Sequence, residues 1–103
     1  MLAEFTIVPT GKGESLSKFV AESLDIIDKS GIDYTLTPMG TIVEGEWDEI
    51  LPLVKTCHDN MKKHANRVIT TIKIDDRGGA KNRLKGKVES VEKVLQRTLK
   101  KLK

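Results

Sequence analysis

The side chains able to do chemistry are few, and their spacing limits what they can do. His58 and His64 are the only histidines in the 103-residue chain. Six positions apart on a helix they point ~240° apart around the axis, so they cannot grip one ion together, and no metal site is expected. Cys57 beside His58 has the composition of a thiol–imidazole pair, but adjacent helix residues diverge, while a working nucleophile needs its base within hydrogen-bond reach. Gly11-Lys12-Gly13 lacks the length and the following Lys-Ser/Thr of a phosphate-cradling loop and reads as a turn. Neither catalysis nor a cofactor is expected.

Two polar clusters remain. In Met39-Gly40-Thr41-Ile42-Val43-Glu44-Gly45-Glu46-Trp47 a hydroxyl, a carboxylate and a large ring surround one short strand, with Thr41 and Val43 on one side and Ile42 and Glu44 on the other. Such groups could hold a small polar ligand. On spacing alone, Glu44 and Glu46 read more readily as solvated strand-end residues that favour the N-terminus of the next helix. In Ile74-Asp75-Asp76-Arg77-Gly78-Gly79 an Asp–Arg pair closes a strand, and an internal ion pair explains it almost as well as a ligand would.

The elements that position these groups follow from periodicity. Leu2 to Val8 alternates, with Ala3, Phe5 and Ile7 on one face, and reads as a strand. After a break at Pro9–Gly13, Ser15 or the residues just before it can cap a helix, with Leu16, Phe19, Val20, Leu24 and Ile27 at helical spacing up to Ser30. Gly31 suits a left-handed C-terminal position. Asp33–Thr37 and Thr41–Glu44 are short β-prone runs joined closely enough to form an antiparallel hairpin. A second helix is expected from Trp47 to Ala65, with an apolar stripe of Trp47, Ile50, Leu51, Val54, Met61 and Ala65. Pro52 forces it to start near Leu51 or to bend there. Arg67–Asp75, β-branched on both faces, reads as a well-buried strand. A third helix spans Lys87 to Leu102.

The order β-α-β-β-α-β-α contains the split βαβ arrangement, so the expected fold class is α+β: a ferredoxin-like sandwich with an added C-terminal helix, in one domain spanning residues 1–103. Two helices cover only one face of such a sheet. The strands offer apolar residues on both, so the second face calls for the third helix or another subunit, and a symmetric homo-oligomer is the commonest solution. No apolar run reaches the ~20 residues of a bilayer span, and Met1-Leu2-Ala3-Glu4 has no basic region before an apolar stretch. A lone cysteine fits a reducing compartment, and the protein reads as cytoplasmic. The net charge of +3 is uneven: residues 81–103 hold nine Lys/Arg against two acidic residues. That segment could make the domain a nucleic-acid-binding module, but no aromatics interleave with the basic residues as a base-stacking surface requires.

Several segments in order resemble the small thiamine-binding protein family. They are Pro9-Thr10-Gly11, Ser15-Leu16-Ser17-Lys18-Phe19-Val20-Ala21, Met39-Gly40-Thr41 with Glu44, Arg67-Val68, Lys73-Ile74-Asp75-Asp76-Arg77 and Lys87-Val88-Glu89-Ser90-Val91. The resemblance implies a ferredoxin-like fold without iron–sulfur chemistry, a homotetramer built as a dimer of dimers, and binding of thiamine or its hydroxymethylpyrimidine part. Phe19 stands where the family often has a hydroxylated aromatic, and Gly78-Gly79 where an acidic residue is usual. The chemistry of an aminopyrimidine then gives roles to the polar residues. Glu44 would accept from the exocyclic amine, Thr41 and Ser17 would complete the polar edge beside Gly40, and Phe19, Ile42 or Met39 would sandwich the ring. Asp75 and Arg77 complete the expected ligand-binding set.

Overall fold

The computed structural model describes residues 1–11, 13, 16–78 and 83–100. Its elements are β1 (Leu2–Pro9), α1 (Ser17–Ser30), β2 (Asp33–Thr37), β3 (Gly40–Glu44), α2 (Trp47–Lys62), β4 (Val68–Asp75) and α3 (Arg83–Leu95). The four strands form one antiparallel sheet in the order β2-β3-β1-β4, so the fold is the ferredoxin-like split βαβ sandwich with an added C-terminal helix.

Register fixes what each face carries. Phe5 lies opposite Thr41 and Ile72, and Ala3 opposite Val43 and Ile74, so these residues share the face covered by α1 and α2. Against them pack Ile27 of α1 and Ile50, Leu53, Val54 and Cys57 of α2, and the core is closed by burial of these apolar groups. Leu2, Glu4, Ile42 and Glu44 alternate to the opposite face.

Three expectations are corrected. First, β4 is not well buried. Among the described residues it has one strand neighbour, β1, and Ile69 is 48% exposed. Second, α2 begins at Trp47 as expected but ends at Lys62 rather than Ala65, and Pro52 sits inside it without moving the start to Leu51. The Glu46 amide donates to the Glu49 carboxylate at 3.0 Å, which fixes the start of the helix ahead of the proline. Pro52 is exposed, so water can reach the backbone carbonyl that loses its partner. The buried stripe of α2 is Ile50, Leu53, Val54, Cys57 and Met61, while Trp47 and Leu51 are exposed. Third, α3 runs from Arg83 to Leu95, so Thr98 lies beyond its end and Leu102 lies outside the described residues. At the start of α1, Leu16 takes the N-cap position without a side-chain cap bond, and the expected Ser15 lies outside the described residues. Gly31 closes that helix in the left-handed conformation, φ 79°.

The β2–β3 hairpin turns tightly at Pro38-Met39. The Thr37 hydroxyl donates to the Gly40 carbonyl at 2.8 Å and accepts from the Met39 amide at 3.2 Å, which pins the turn. Gly40 has φ +152°, and a Cβ there would lie 3.2 Å from the Phe5 carbonyl oxygen and 3.0 Å from Thr6 Cγ2. Both the backbone conformation and the close approach to β1 require glycine. Gly40→Ala should therefore destabilise the fold by about 1–3 kcal/mol, read as a drop of several degrees in the melting temperature. An unchanged melting temperature would show that the hairpin shifts without cost.

Candidate functional site

One cavity of about 220 Å³ lies between α1, the Phe5–Val8 stretch of β1 and the β2–β3 turn. The face of α1 that lines it repeats as Leu16, Val20, Ser23, Leu24 and Ile27, the spacing of a helix stripe turned towards the sheet. Thr41, on the helix-covered face of β3 and almost fully buried, supplies a hydroxyl. Gly40 and Thr37 line the hairpin side, and Met39, 81% exposed, lies at the rim. No ionisable side chain is among these lining residues. The arrangement suits a flat, mostly apolar molecule with hydrogen-bonding groups at its edge.

The expected ligand residues divide among four places. Thr41, Gly40 and Met39 meet in the cavity. Glu44 projects to the opposite sheet face, where its Oε1 accepts from the Leu84 amide at 3.2 Å and so holds an orphan donor at the start of α3. Phe19 packs its ring on His64, with centroids 5.1 Å apart. Ser17 is exposed in the first turn of α1. Asp75 ends β4 opposite Leu2, in the same row as Glu44, and Arg77 follows it, exposed; this row lies at the sheet end away from the hairpin turn. Within one protomer, Thr41 and Glu44 therefore cannot grip the same single ring.

Cys57 and His58 diverge as their adjacency on a helix requires. Cys57 is in the core, and burial pushes its thiol up to about 11. His58 Nδ1 shares a hydrogen bond with Thr70 Oγ1 at 2.5 Å, tying α2 to β4. Gly11 and Gly13 both have positive φ, as a turn demands, with Lys12 outside the described residues. Among the described residues no group of three His, Cys, Asp or Glu side chains could hold a metal ion, and no helix is long and apolar enough to cross a membrane.

Ser23 is not among the expected ligand residues. It falls in the apolar stripe of α1, 7% exposed, and its hydroxyl makes no hydrogen bond among the described residues. A hydroxyl at a core position of an otherwise apolar stripe is the signal that could have flagged it.

Fold and cavity together define a ferredoxin-like α+β domain with a hollow between its first helix and its β-hairpin whose described lining residues carry no charge. The model of the thiamine-binding protein family matches residues 3–92. The chain belongs to that family. A Methanothermobacter thermautotrophicus relative is 41% identical over 93 residues, covering 87% of this chain and 94% of the relative. YqgV of Bacillus subtilis is 39% identical over 101 residues, covering 92% and 97%. Among solved structures, the hypothetical protein MJ1052 of Methanocaldococcus jannaschii superposes with a TM-score of 0.81 at 34% identity, over 87% of this chain and 93% of that one. TM0486 of Thermotoga maritima, with a proposed place in thiamine biosynthesis or salvage, gives 0.77 at 26% identity, over 87% and 96%.

The cavity's helix is fastened to α2 through Glu22. His64 Nε2 lies 3.0 Å from its Oε1 and Asn60 donates to the same oxygen at 3.3 Å. The His64 hydrogen bond first, and the Asn60 bond second, hold the Glu22 carboxyl below the usual glutamate range. A carboxyl depressed in the folded state adds stability above its unfolded value and loses it as pH falls through the folded value. Glu22→Gln should thus be less stable than the parent at neutral pH, with the gap closing as pH falls below the usual glutamate range. Urea denaturation at a series of pH values measures it, and a gap that stays constant through the acid range would assign the loss to geometry rather than charge.

Proposed function

We propose that this chain binds thiamine or a thiamine-related pyrimidine without transforming it, as a cytoplasmic homotetramer, and that the cavity beneath α1 is the binding site. Family membership supports the ligand class. The observation that carries the location is the meeting of Thr41, Gly40 and Met39 with an apolar helix face around about 220 Å³ of space. An aminopyrimidine is a flat ring with donors and acceptors on its edge, and hydroxyls among aliphatic walls can meet both. Hydroxyls without a neighbouring base are poor nucleophiles, so binding rather than turnover is the activity such a lining supports.

Isothermal calorimetry with thiamine, its phosphates and hydroxymethylpyrimidine tests the reading. At least one should release heat, and Thr41→Val should weaken it by about 1 kcal/mol, the worth of one hydrogen bond. If none binds or raises the melting temperature at millimolar concentration, the proposal fails.

The tetramer rests on β4 and the sheet face away from α1 and α2. Val8 and Ile69, paired directly on that face, are 38% and 48% exposed, and the outer edge of β4 has no strand beside it among the described residues. Such an edge invites a second copy, and closed dihedral symmetry satisfies edge and face together. Light scattering after size exclusion should give about four times 11.5 kDa, and Ile69→Lys should lower that mass. A monomer at micromolar concentration would contradict the assembly.

A further inference from the structure

We propose that α3 is an arm exchanged between two copies of the chain: its apolar stripe seats on a second copy's outer sheet face, the one away from α1 and α2, across Val8 and Ile69. The second copy's α3 returns the contact. This reading rests on the self-association proposed above and names the element that makes it.

Leu84, Val88, Val91 and Leu95 follow one another at spacings of four, three and four, which sets them in one stripe along the helix. The protomer covers only the beginning of that stripe. Leu84 and Val88 are half-buried where the helix starts at Glu44, but Val91 and Leu95 are 50% and 47% exposed, and Val94 beside them 82%. A helix of 13 residues draws its stability from the packing of its apolar face, so a stripe half in water leaves α3 short of a partner. The dimensions agree. The radius of gyration is 15.1 Å, against about 13 Å for a compact domain of this length, and the longest extent is 48 Å.

Charge and shape select the occupant. Residues 81–103 hold nine Lys/Arg against two acidic residues, so two such segments repel and α3 is a poor partner for the α3 of another copy. The outer sheet face has the opposite sign. Strand alternation and register set Asp33, Glu4, Glu44 and Asp75 on it against Lys73. At its hairpin end these carboxylates give way to Val8 and Ile69, cross-strand neighbours that are both partly exposed. α3 meets the face at the other end, at Glu44, so the protomer's own helix leaves this patch open. A basic helix with an apolar stripe thus finds, on a second copy, an acidic face with an apolar patch. The same carboxylates would repel a phosphate backbone or an anionic lipid surface brought to this side of the molecule. Because each copy both gives and receives a helix, the contact closes under a two-fold axis.

Light scattering on the full chain carrying Val94→Glu reads the contact. Val94 is exposed in the protomer and Glu favours helices, so helix content by circular dichroism should hold while the mass falls to half of the parent's or less. Parent mass retained by the folded variant would overturn the exchange, and a fall in mass with Ile69→Lys alone would then leave self-association standing without it. A parent that is itself monomeric would remove the self-association beneath the proposal. Cysteine pairs locate the contact. Co-expressed Val94→Cys and Ile69→Cys chains, treated with a mild oxidant, should give a disulfide-linked dimer beyond what either variant gives alone. Cys57 is buried, its thiol pushed up to about 11, and stays out of the reaction. Linkage confined to Val94→Cys by itself would place α3 against α3 and overturn the proposal, as would the lack of any mixed linkage. A Val94→Glu variant of parent mass that has lost affinity for phosphatidylglycerol vesicles would likewise overturn it and assign the stripe to a lipid surface.

Discussion

Eight consecutive residues of β1 pair with β4, from Leu2 opposite Asp75 to Pro9 opposite Val68, and four of the same residues pair with β3. One short segment thus joins the two halves of the split βαβ unit. Everything that shapes the cavity depends on this double pairing. It presents Phe5 and Ile7 towards α1, holds Thr41 on the same face by register, and brings the Gly40 backbone near enough to the Phe5 carbonyl that a Cβ there would be crowded at 3.2 Å. A slip of one residue would turn Phe5 and Ala3 outwards and Glu4 inwards, and the core would be lost with the site.

The two faces of the sheet consequently have different duties. The helix-covered face combines the core, the cavity and the ties from α2: His58 to Thr70, and the Glu22 cluster between the helices. On the other face Glu44 engages the start of α3, while Val8 and Ile69 stay partly open. The proposed ligand site and the proposed subunit contact then draw on different surfaces of the same strands. A substitution on one face can alter one property and spare the other.

The alternation in Leu2–Val8, the stripe of α1, the left-handed Gly31 and the short β2–β3 connection were all readable because each is a local rule acting on adjacent residues. What was not readable depended on neighbours distant in sequence. Arg67–Asp75 has the composition of a central strand, yet strand order places it at the edge, and order is set by which helices cross over which strands. Pro52 is a helix breaker in isolation, but the Glu46–Glu49 contact had already begun the helix before it. Among the candidate ligand residues, the opposite facing of Thr41 and Glu44 was evident from strand alternation. That the cavity lies on the Thr41 side, and that Ser23 reaches it, needed the packing of α1.

The span of the β1–β4 ladder has a further consequence, in the order of events as the chain is made. During synthesis β1 emerges first and β4 only after about seventy more residues, so the middle of the sheet stays half-paired until most of the chain has left the ribosome. The described residues that line the cavity all fall between Phe5 and Thr41, so they leave the ribosome well before β4 does. A nascent chain therefore carries the residues of the hollow before it has the β1–β4 ladder that fixes their facing, so the shape of the site waits on the last strand to be made.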